Sequence, residues 1–190
     1  MRDSVERHDT EFLNSLNDPI ARELVATAFR SNFSLSPELT EFAEHVIILD
    51  ANPLTLNAPP ILYGGAESLA TREFNFRWQG DPVSPGDVFS KTYQSMTSPG
   101  FLDCYTDQKP IIETIQCSNA VRLGSRPVDY IRVLVPATNG QGAWFFISYA
   151  ITPNQDRYPV GSEPIELHRQ AHILRSTNLH KPYSLAGVSI

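Results

Sequence analysis

The fold is decided by three segments in the second half of the chain: IIETIQCS (residues 111–118), VDYIRVLVP (128–136) and AWFFISYAI (143–151). Each segment is rich in β-branched and aromatic residues, the composition typical of β-strands. Asn139-Gly140 lies between the last two segments and can reverse the chain, because both residues tolerate positive φ. The sequence therefore predicts a meander of three antiparallel strands.

The last of these strands is apolar on both faces. Side chains alternate along a strand, so Phe145 and Ile147 share one face while Trp144 and Phe146 share the other. A sheet with two apolar faces needs cover on both. We expect its own helices on one side and an extra helix or a second subunit on the other.

Length and charge narrow the class of protein. The chain has 190 residues, which suits one domain with appendages. Its net charge of −6 argues against a nucleic-acid partner, because phosphate binding requires clustered Lys and Arg. No apolar run follows the N-terminus, and no segment approaches the roughly 20 apolar residues that span a bilayer. We therefore expect a cytoplasmic protein without a membrane partner.

Prolines mark the predicted helix starts. In four places a side chain that can cap a helix directly precedes a proline, which is tolerated at the first helical position. The pairs are Asp18-Pro19, Ser36-Pro37, Ser84-Pro85 and Ser98-Pro99. Two more strands, HVIILD (45–50) and ILY (61–63), lie between the second and third pairs. This order predicts an α+β protein whose single antiparallel sheet is interrupted by a helical insertion.

The first predicted helix, residues 19–30, carries an apolar stripe of Ile20, Leu24 and Ala28. Two interpretations of this stripe remain open: packing in the core of the chain, and contact with a second subunit. Either would supply the cover that the second face of the sheet requires.

Several segments together resemble the PAS-like fold, in particular the bacterial stand-alone, single-domain PAS-like proteins. The resemblance is carried by HVIILD (45–50), ILYGG (61–65), KP (109–110) before a strand, and YIRVLVP (130–136) leading into FFIS (145–148). It covers about residues 38–153. That leaves 1–37 as an N-terminal helical cap or dimerisation segment and 154–190 as a C-terminal extension.

The resemblance implies a five-stranded antiparallel sheet that cups a cavity with its helices. Such a module senses a ligand or pairs with another subunit, and the resemblance implies no reaction. It also implies that a helix outside the core packs on the open face of the sheet and makes a homodimer, a role that fits residues 19–30.

In such a fold the cavity lies between the helices and the inner face of the sheet. The candidate ligand-binding residues are Phe76, Trp78, Phe89, Tyr93, Phe101, Cys104, Gln116, Tyr130, Arg132, Phe145 and Ile147. For any one of the large apolar residues, the alternative is plain core filling. Arg132 suits a carboxylate or phosphate clamp through its planar guanidinium. Its alternative is an exposed strand position paired with Glu113 or Asp129.

The sequence assigns no cofactor and no metal. No histidine lies between His45 and His168, which argues against histidine-ligated haem. Cys104 stands in FLDCYT and lacks the Asn-Cys-Arg-Phe-Leu run that flavin photochemistry in related modules requires. Cys104 and Cys117 are the two cysteines of the chain, and we expect both to be reduced, buried thiols. His168 and His172 stand four apart on a predicted helix, where a zinc site would need a third ligand and a solvated face is the alternative.

No catalytic motif is apparent. The chain lacks a glycine-rich phosphate loop and a Gly-x-Ser-x-Gly elbow. His45 and Asp50 are the buried polar pair that a small enzyme of a cone-shaped α+β fold would use, but their odd spacing on one strand points them apart. The sequence favours a non-catalytic PAS-like sensory or regulatory module, a homodimer that binds an unidentified small molecule or signalling protein. The small enzyme is the alternative.

Overall fold

The computed structural model describes residues 2–74, 80–122 and 126–152. Within them the chain forms one antiparallel sheet of six strands in the order β1-β4-β5-β6-β2-β3. The strands are β1 (Ser4–His8), β2 (Val46–Asp50), β3 (Ile61–Gly64), β4 (Ile111–Cys117), β5 (Val128–Thr138) and β6 (Trp144–Ile151). The predicted meander is confirmed as β4, β5 and β6, which pair side by side.

Helices flank the strands and interrupt the sheet in sequence. They are α1 (Phe12–Ser15), α2 (Pro19–Arg30), α3 (Pro37–Thr40), α4 (Leu69–Phe74), α5 (Pro85–Val88) and α6 (Lys91–Asp107). Short 3-10 helices cover Ala43–His45 and Pro53–Thr55. Because α4, α5 and α6 lie between β3 and β4, the predicted α+β class with a helical insertion is confirmed. Among the described helices, none combines the length and the apolar composition needed to cross a bilayer.

Strand β1 makes the sheet one strand larger than the five strands expected. It pairs with β4 in a register that places Val5 opposite Ile115 and Arg7 opposite Glu113. Its sequence, SVERH, has a single apolar residue and therefore gives no strand pattern. A polar composition suits this position, since a charged edge strand discourages pairing with other chains.

The inner face of the sheet packs against the inserted helices. Its core contains Leu49, Ile61, Phe89, Phe101, Ile115, Leu134 and Phe146. Leu134 and Phe146 are 0% exposed. The inner core therefore lies in the concave space where the resemblance implied a cavity.

The outer face packs against α2. Leu24 and Ala28 are 0% exposed and lie in one core with Val133 and Ile147 of the sheet. Ile20, the third residue of the stripe, is partly exposed. The structure therefore assigns the stripe to the chain's own core, and it leaves Leu24 and Ala28 no exposed surface for a second subunit. Both faces of β6 are covered within one chain, as its sequence required.

One predicted helix start is wrong. Ser98-Pro99 lies inside α6, which begins at Lys91. Ser90 caps this helix, and its hydroxyl accepts a hydrogen bond from the Tyr93 N–H at 3.1 Å. A proline in a helix removes the N–H that would bond the carbonyl four residues earlier. Here the Ser98 hydroxyl donates to that carbonyl, on Ser95, at 3.3 Å. This bond satisfies the exposed acceptor and lets the helix continue.

Candidate functional site

A buried ion pair lies at the centre of the inner face. Glu113 on β4 and Arg132 on β5 stand directly opposite each other in the sheet register. Their side chains are 1% and 3% exposed, and Arg132 Nη2 lies 2.5 Å from Glu113 Oε2. Arg132 Nε donates to the same oxygen at 3.2 Å. Two charges this deeply buried are costly unless each is paired and hydrogen-bonded, so their contacts decide whether the site is stable.

Further groups complete that pairing and extend it to the surface. Arg7 on β1 donates to Glu113 Oε1 at 2.9 Å and to Asp103 of α6 at 2.5 Å. The Arg132 Nη2 atom also donates to the Thr97 carbonyl at 3.0 Å. The side chains of Arg7 and Asp103 are 41% and 43% exposed. The four charged groups Asp103, Arg7, Glu113 and Arg132 thus form a chain of alternating sign from solvent to the inner core, which we call the charge chain.

Helix α6 can approach this chain because residue 100 is glycine. A Cβ atom at Gly100 would lie 2.5 Å from Arg132 Nη2 and 2.6 Å from each Glu113 carboxylate oxygen. The aromatic ring of Phe101, the next residue, lies under the guanidinium, with Arg132 Cζ 4.5 Å from the ring centroid. Glycine is therefore required here for close packing of the helix on the ion pair.

The electrostatic consequence is that the buried arginine stays charged. Burial acts to lower the pKa of Arg132, but the Glu113 carboxylate, together with Tyr130 and Tyr93, outweighs burial, and the pKa is raised above its ordinary value. Burial likewise acts against the charged form of Arg7, while hydrogen bonds to Asp103 and Glu113 raise its pKa. Both guanidinium groups of the charge chain are therefore positively charged around neutral pH.

A cavity of about 70 Å³ lies beside Arg132, between the sheet and the helical insertion. Its apolar walls include Ile47, Leu49, Leu69, Phe89 and Phe101. Its polar walls include His45, Tyr93, Gln94, Thr97, Tyr130, Arg132 and Ser148. It is small beside ordinary ligand pockets, which measure roughly 300–1,000 Å³. In the geometry described it accommodates a molecule of a few heavy atoms.

Two tyrosines place a hydroxyl pair at the wall of this cavity. The Tyr93 and Tyr130 hydroxyls hydrogen-bond to each other, one from α6 and one from β5. Burial raises the pKa of Tyr93 and raises that of Tyr130 well above its ordinary value. Both tyrosines are therefore protonated at neutral pH and present O–H groups rather than a negative charge.

The structure brings together five of the predicted site residues. Phe89, Tyr93, Phe101, Tyr130 and Arg132 all line the cavity. Arg132 is paired with Glu113, as the alternative interpretation of this residue predicted. The pair is buried, however, whereas that interpretation expected an exposed position. The predicted residues Phe76 and Trp78 lie outside the described residues, as do His168 and His172.

The remaining predicted residues lie elsewhere. Phe145 and Ile147 point away from the cavity, because the inner face of β6 carries Phe146 and Ser148 instead. Gln116 lies on the outer face of β4, where its Nε2 donates to Asp129 at 3.3 Å. Assigning these three to the cavity was wrong, since alternation along each strand directs them to the opposite face.

Cys104 is buried in the inner core beside the cavity, and its Sγ lies 3.9 Å from the Leu134 carbonyl oxygen. Burial raises the pKa of its thiol, so it stays protonated. A protonated, buried thiol is a poor nucleophile. Cys104 and Cys117 are both buried and free, as expected.

The two residues of the alternative enzyme lie apart. His45 precedes β2 and lines the cavity, whereas Asp50 ends the same strand. Five residues of strand separate them by roughly 16 Å, too far for proton transfer. Burial raises the pKa of Asp50, but Asp50 does not line the cavity. In the parts of the chain that the structure describes, His, Cys, Asp and Glu form no cluster of three or more suited to a metal ion.

Two functional residues, Gly100 and Ser148, were missed at the sequence level, and Glu113 was considered only as a partner of Arg132 at an exposed strand position. A signal existed for Glu113, since alternation places it on one strand face with Ile111 and Ile115 and thus predicts a buried carboxylate. No local signal marks Gly100, because its role depends on how close α6 comes to two strands.

Comparisons with known proteins add little. No family model and no curated protein matches the chain. Among solved structures, it is similar to one described as the structure of an RNA-binding Light-Oxygen-Voltage receptor, with a TM-score of 0.41 and 10% sequence identity. The match covers 80% of this chain and 38% of that chain, so this chain spans well under half the receptor's length. By its own topology, the antiparallel sheet with helices inserted between β3 and β4 matches the PAS-like fold in outline, with one strand more.

Proposed function

We propose that this chain is a PAS-like sensory or regulatory module that binds a small molecule in the cavity and does not catalyse a reaction. The observation that carries the proposal is that Arg132 belongs both to the cavity wall and to the charge chain. A molecule in the cavity therefore contacts a group whose other contacts lead to the surface.

The charge chain supplies a physical route from the cavity to a distant element. Glu113 is shared between Arg132 and Arg7, and Arg7 belongs to β1, the edge strand. A ligand that draws the Arg132 guanidinium toward the cavity leaves Glu113 more dependent on Arg7. Such a ligand changes how stably β1 pairs with β4. It does so only if it binds the protein with β1 paired and the protein with β1 detached with different affinities.

The output is passed to a signalling protein or to a second copy of the chain, and we place the module in the cytoplasm. A homodimer would use side chains other than Leu24 and Ala28, because these are buried within the chain. Phe29 and Leu35 are partly exposed apolar residues near the end of α2. They identify one surface to examine if a dimer is observed.

Native mass spectrometry of the purified full chain, with an absorption spectrum of the same sample, tests the proposal. The variant Ala150→Leu places added side-chain volume in the cavity wall, whereas Ala66→Leu changes an exposed turn and serves as the matched control. We expect bound extra mass in the wild type and in the control, and its loss in Ala150→Leu. A folded wild-type protein that carries no ligand and accepts none of the small probes described below would contradict the proposal.

A further inference from the structure

We propose that the cavity selects a small, uncharged molecule with a carbonyl oxygen, such as a ketone or an amide, and this rests on the proposed function of the cavity as a ligand site. Four features carry it: the size of the cavity, its unpartnered donors, its balanced charge and its apolar walls.

The size sets an upper limit. A cavity of about 70 Å³ is several-fold smaller than the roughly 300–1,000 Å³ of pockets that hold drug-sized ligands. A ligand that fits without rearrangement therefore has only a few heavy atoms. Flavin-sized and haem-sized molecules are far larger than this.

The cavity wall carries hydrogen-bond donors that lack partners among the described residues. The bonds of Arg132 use Nε and Nη2, which leaves the two N–H groups of Nη1. The Tyr93–Tyr130 pair uses one hydroxyl proton and leaves the other. Ser148 is buried and adds its hydroxyl to the same wall. An acceptor oxygen at this wall can take hydrogen bonds from these groups.

The charges favour a neutral ligand. Arg132 and Arg7 are matched by Glu113 and Asp103, so the charge chain has no net charge to offer. An anion near Arg132 would compete with the Glu113 carboxylate and would lose its hydration without gaining an unpaired counter-charge. A cation would meet the guanidinium itself. An uncharged oxygen accepts hydrogen bonds from Arg132 and Ser148 without competing with Glu113 and without repulsion from the guanidinium.

The other walls accommodate the carbon part of such a molecule. Leu69, Phe89 and Ile47 form an apolar surface on the cavity. A carbonyl compound can place its oxygen toward Ser148 and Arg132 and its methyl groups toward these side chains. The arrangement thus fits a molecule that is polar at one end only.

A set of four-heavy-atom, planar probes tests the charge and the oxygen separately. We would titrate the ¹⁵N-labelled full chain with acetone, acetate, acetamidinium and isobutene, and follow the backbone amides of Ser148 and Ala150 by NMR. The four molecules share shape and size. We expect acetone to shift these amides at the lowest concentration, with the other three at least tenfold weaker.

The variant Ser148→Ala removes one donor and should weaken acetone binding by about two- to tenfold. Ser95→Ala, on the exposed surface of α6, is the matched control and should bind acetone as the wild type does. If Ser148→Ala does not fold, Ser148→Cys keeps the size of the side chain with a weaker donor and should give a smaller loss in the same direction.

The possible results separate this inference from the proposed function. Tighter binding of acetate would show an anion site, and equal binding of isobutene with no effect of Ser148→Ala would show selection by size alone. Either result overturns the carbonyl inference and leaves a ligand-binding cavity. If none of the probes binds and the purified protein carries no ligand, the proposed function falls as well.

Discussion

Gly100 is the single residue on which the packing of the site most depends. A methyl group there would lie within 2.6 Å of both partners of the buried ion pair. We expect Gly100→Ala to lower the free energy of unfolding by about 2–4 kcal/mol, because either α6 must shift or the pair must open. Urea denaturation followed by circular dichroism measures the change.

The control for that experiment is Gly86→Ala in α5. A Cβ there would meet nothing nearer than Ser84 Oγ at 3.5 Å. Because alanine favours helix over glycine by up to about 1 kcal/mol, we expect this variant to be unchanged or slightly more stable. Equal stability of the two variants would show that α6 does not need to approach the ion pair closely.

The buried tyrosines predict a loss of stability at high pH. The folded-state pKa values of Tyr93 and Tyr130 are raised by burial above the ordinary value of 10.0. Below pH 10 both the folded and unfolded states keep these protons, so stability does not depend on them. Above pH 10 the unfolded chain loses protons first, and the free energy of unfolding falls by about 1.4 kcal/mol per pH unit for each tyrosine.

Urea denaturation between pH 9 and 11.5 measures this slope, and Tyr130→Phe should make it shallower. The same variant at pH 8 supplies the baseline for the packing effect of the lost hydroxyl. An identical slope in wild type and variant would mean that the Tyr130 hydroxyl is not held protonated by burial.

The sequence predicted the side chains of the site better than their roles. Phe89, Tyr93, Phe101, Tyr130 and Arg132 were identified, since large and planar residues on an inner face are few. The inward face of β6 could not be fixed from sequence, because β6 is apolar on both sides and a shift of one residue reverses every side chain. The packing of α6 on Glu113 depends on how α6, β4 and β5 come together, so no local sequence pattern predicts it.

At the scale of elements, β1 is the part of the sheet that depends most on charge. It pairs with β4 alone, and Arg7 joins it to the buried Glu113 at 2.9 Å. We expect Arg7→Met to weaken the attachment of β1 by about 1 kcal/mol, since the Arg7 side chain is 41% exposed and solvent screens part of its attraction to Glu113. Amide hydrogen exchange at residues 4–8 should then accelerate by about fivefold.

Arg22→Met, on the exposed face of α2, provides the control, with unchanged exchange in β1. Addition of a cavity ligand should alter exchange in β1 of the wild type and should have less effect in Arg7→Met. An effect of equal size in both proteins would exclude the charge chain as the route of coupling.

The sequence predicted a helix start correctly where neighbouring residues alone determine it. Asp18-Pro19 begins α2 as predicted, because the Asp18 carboxylate accepts from the Ala21 N–H at 2.9 Å and the proline occupies the first position. Ser98-Pro99 carries the same pattern but lies within α6. The difference arises because Ser90 already caps that helix earlier in the chain. The Ser98-Pro99 sequence alone does not show that an earlier cap is used.

At the scale of the whole molecule, the chain is a sheet with a core on each side. The inserted helices cover the inner face, and α2 covers the outer face with Leu24 and Ala28 against Val133. The sequence of β6 indicated that both faces of the sheet must be buried. It did not indicate what buries the outer face, since a helix of the same chain and a second subunit bury an apolar face equally well.

The N-terminal 37 residues are therefore expected to be part of the folding unit rather than a detachable cap. A chain of residues 38–190 would lose both α2 and β1, exposing the outer-face residues Ile112, Val133, Val135 and Ile147 and the edge of β4. We expect it to aggregate or to give a collapsed amide NMR spectrum. A chain of residues 17–190 keeps α2 and loses β1 and α1, and we expect it to fold with reduced stability. A well-dispersed spectrum from residues 38–190, with ligand still bound, would show instead that the outer layer is dispensable and that α2 is free to serve another surface.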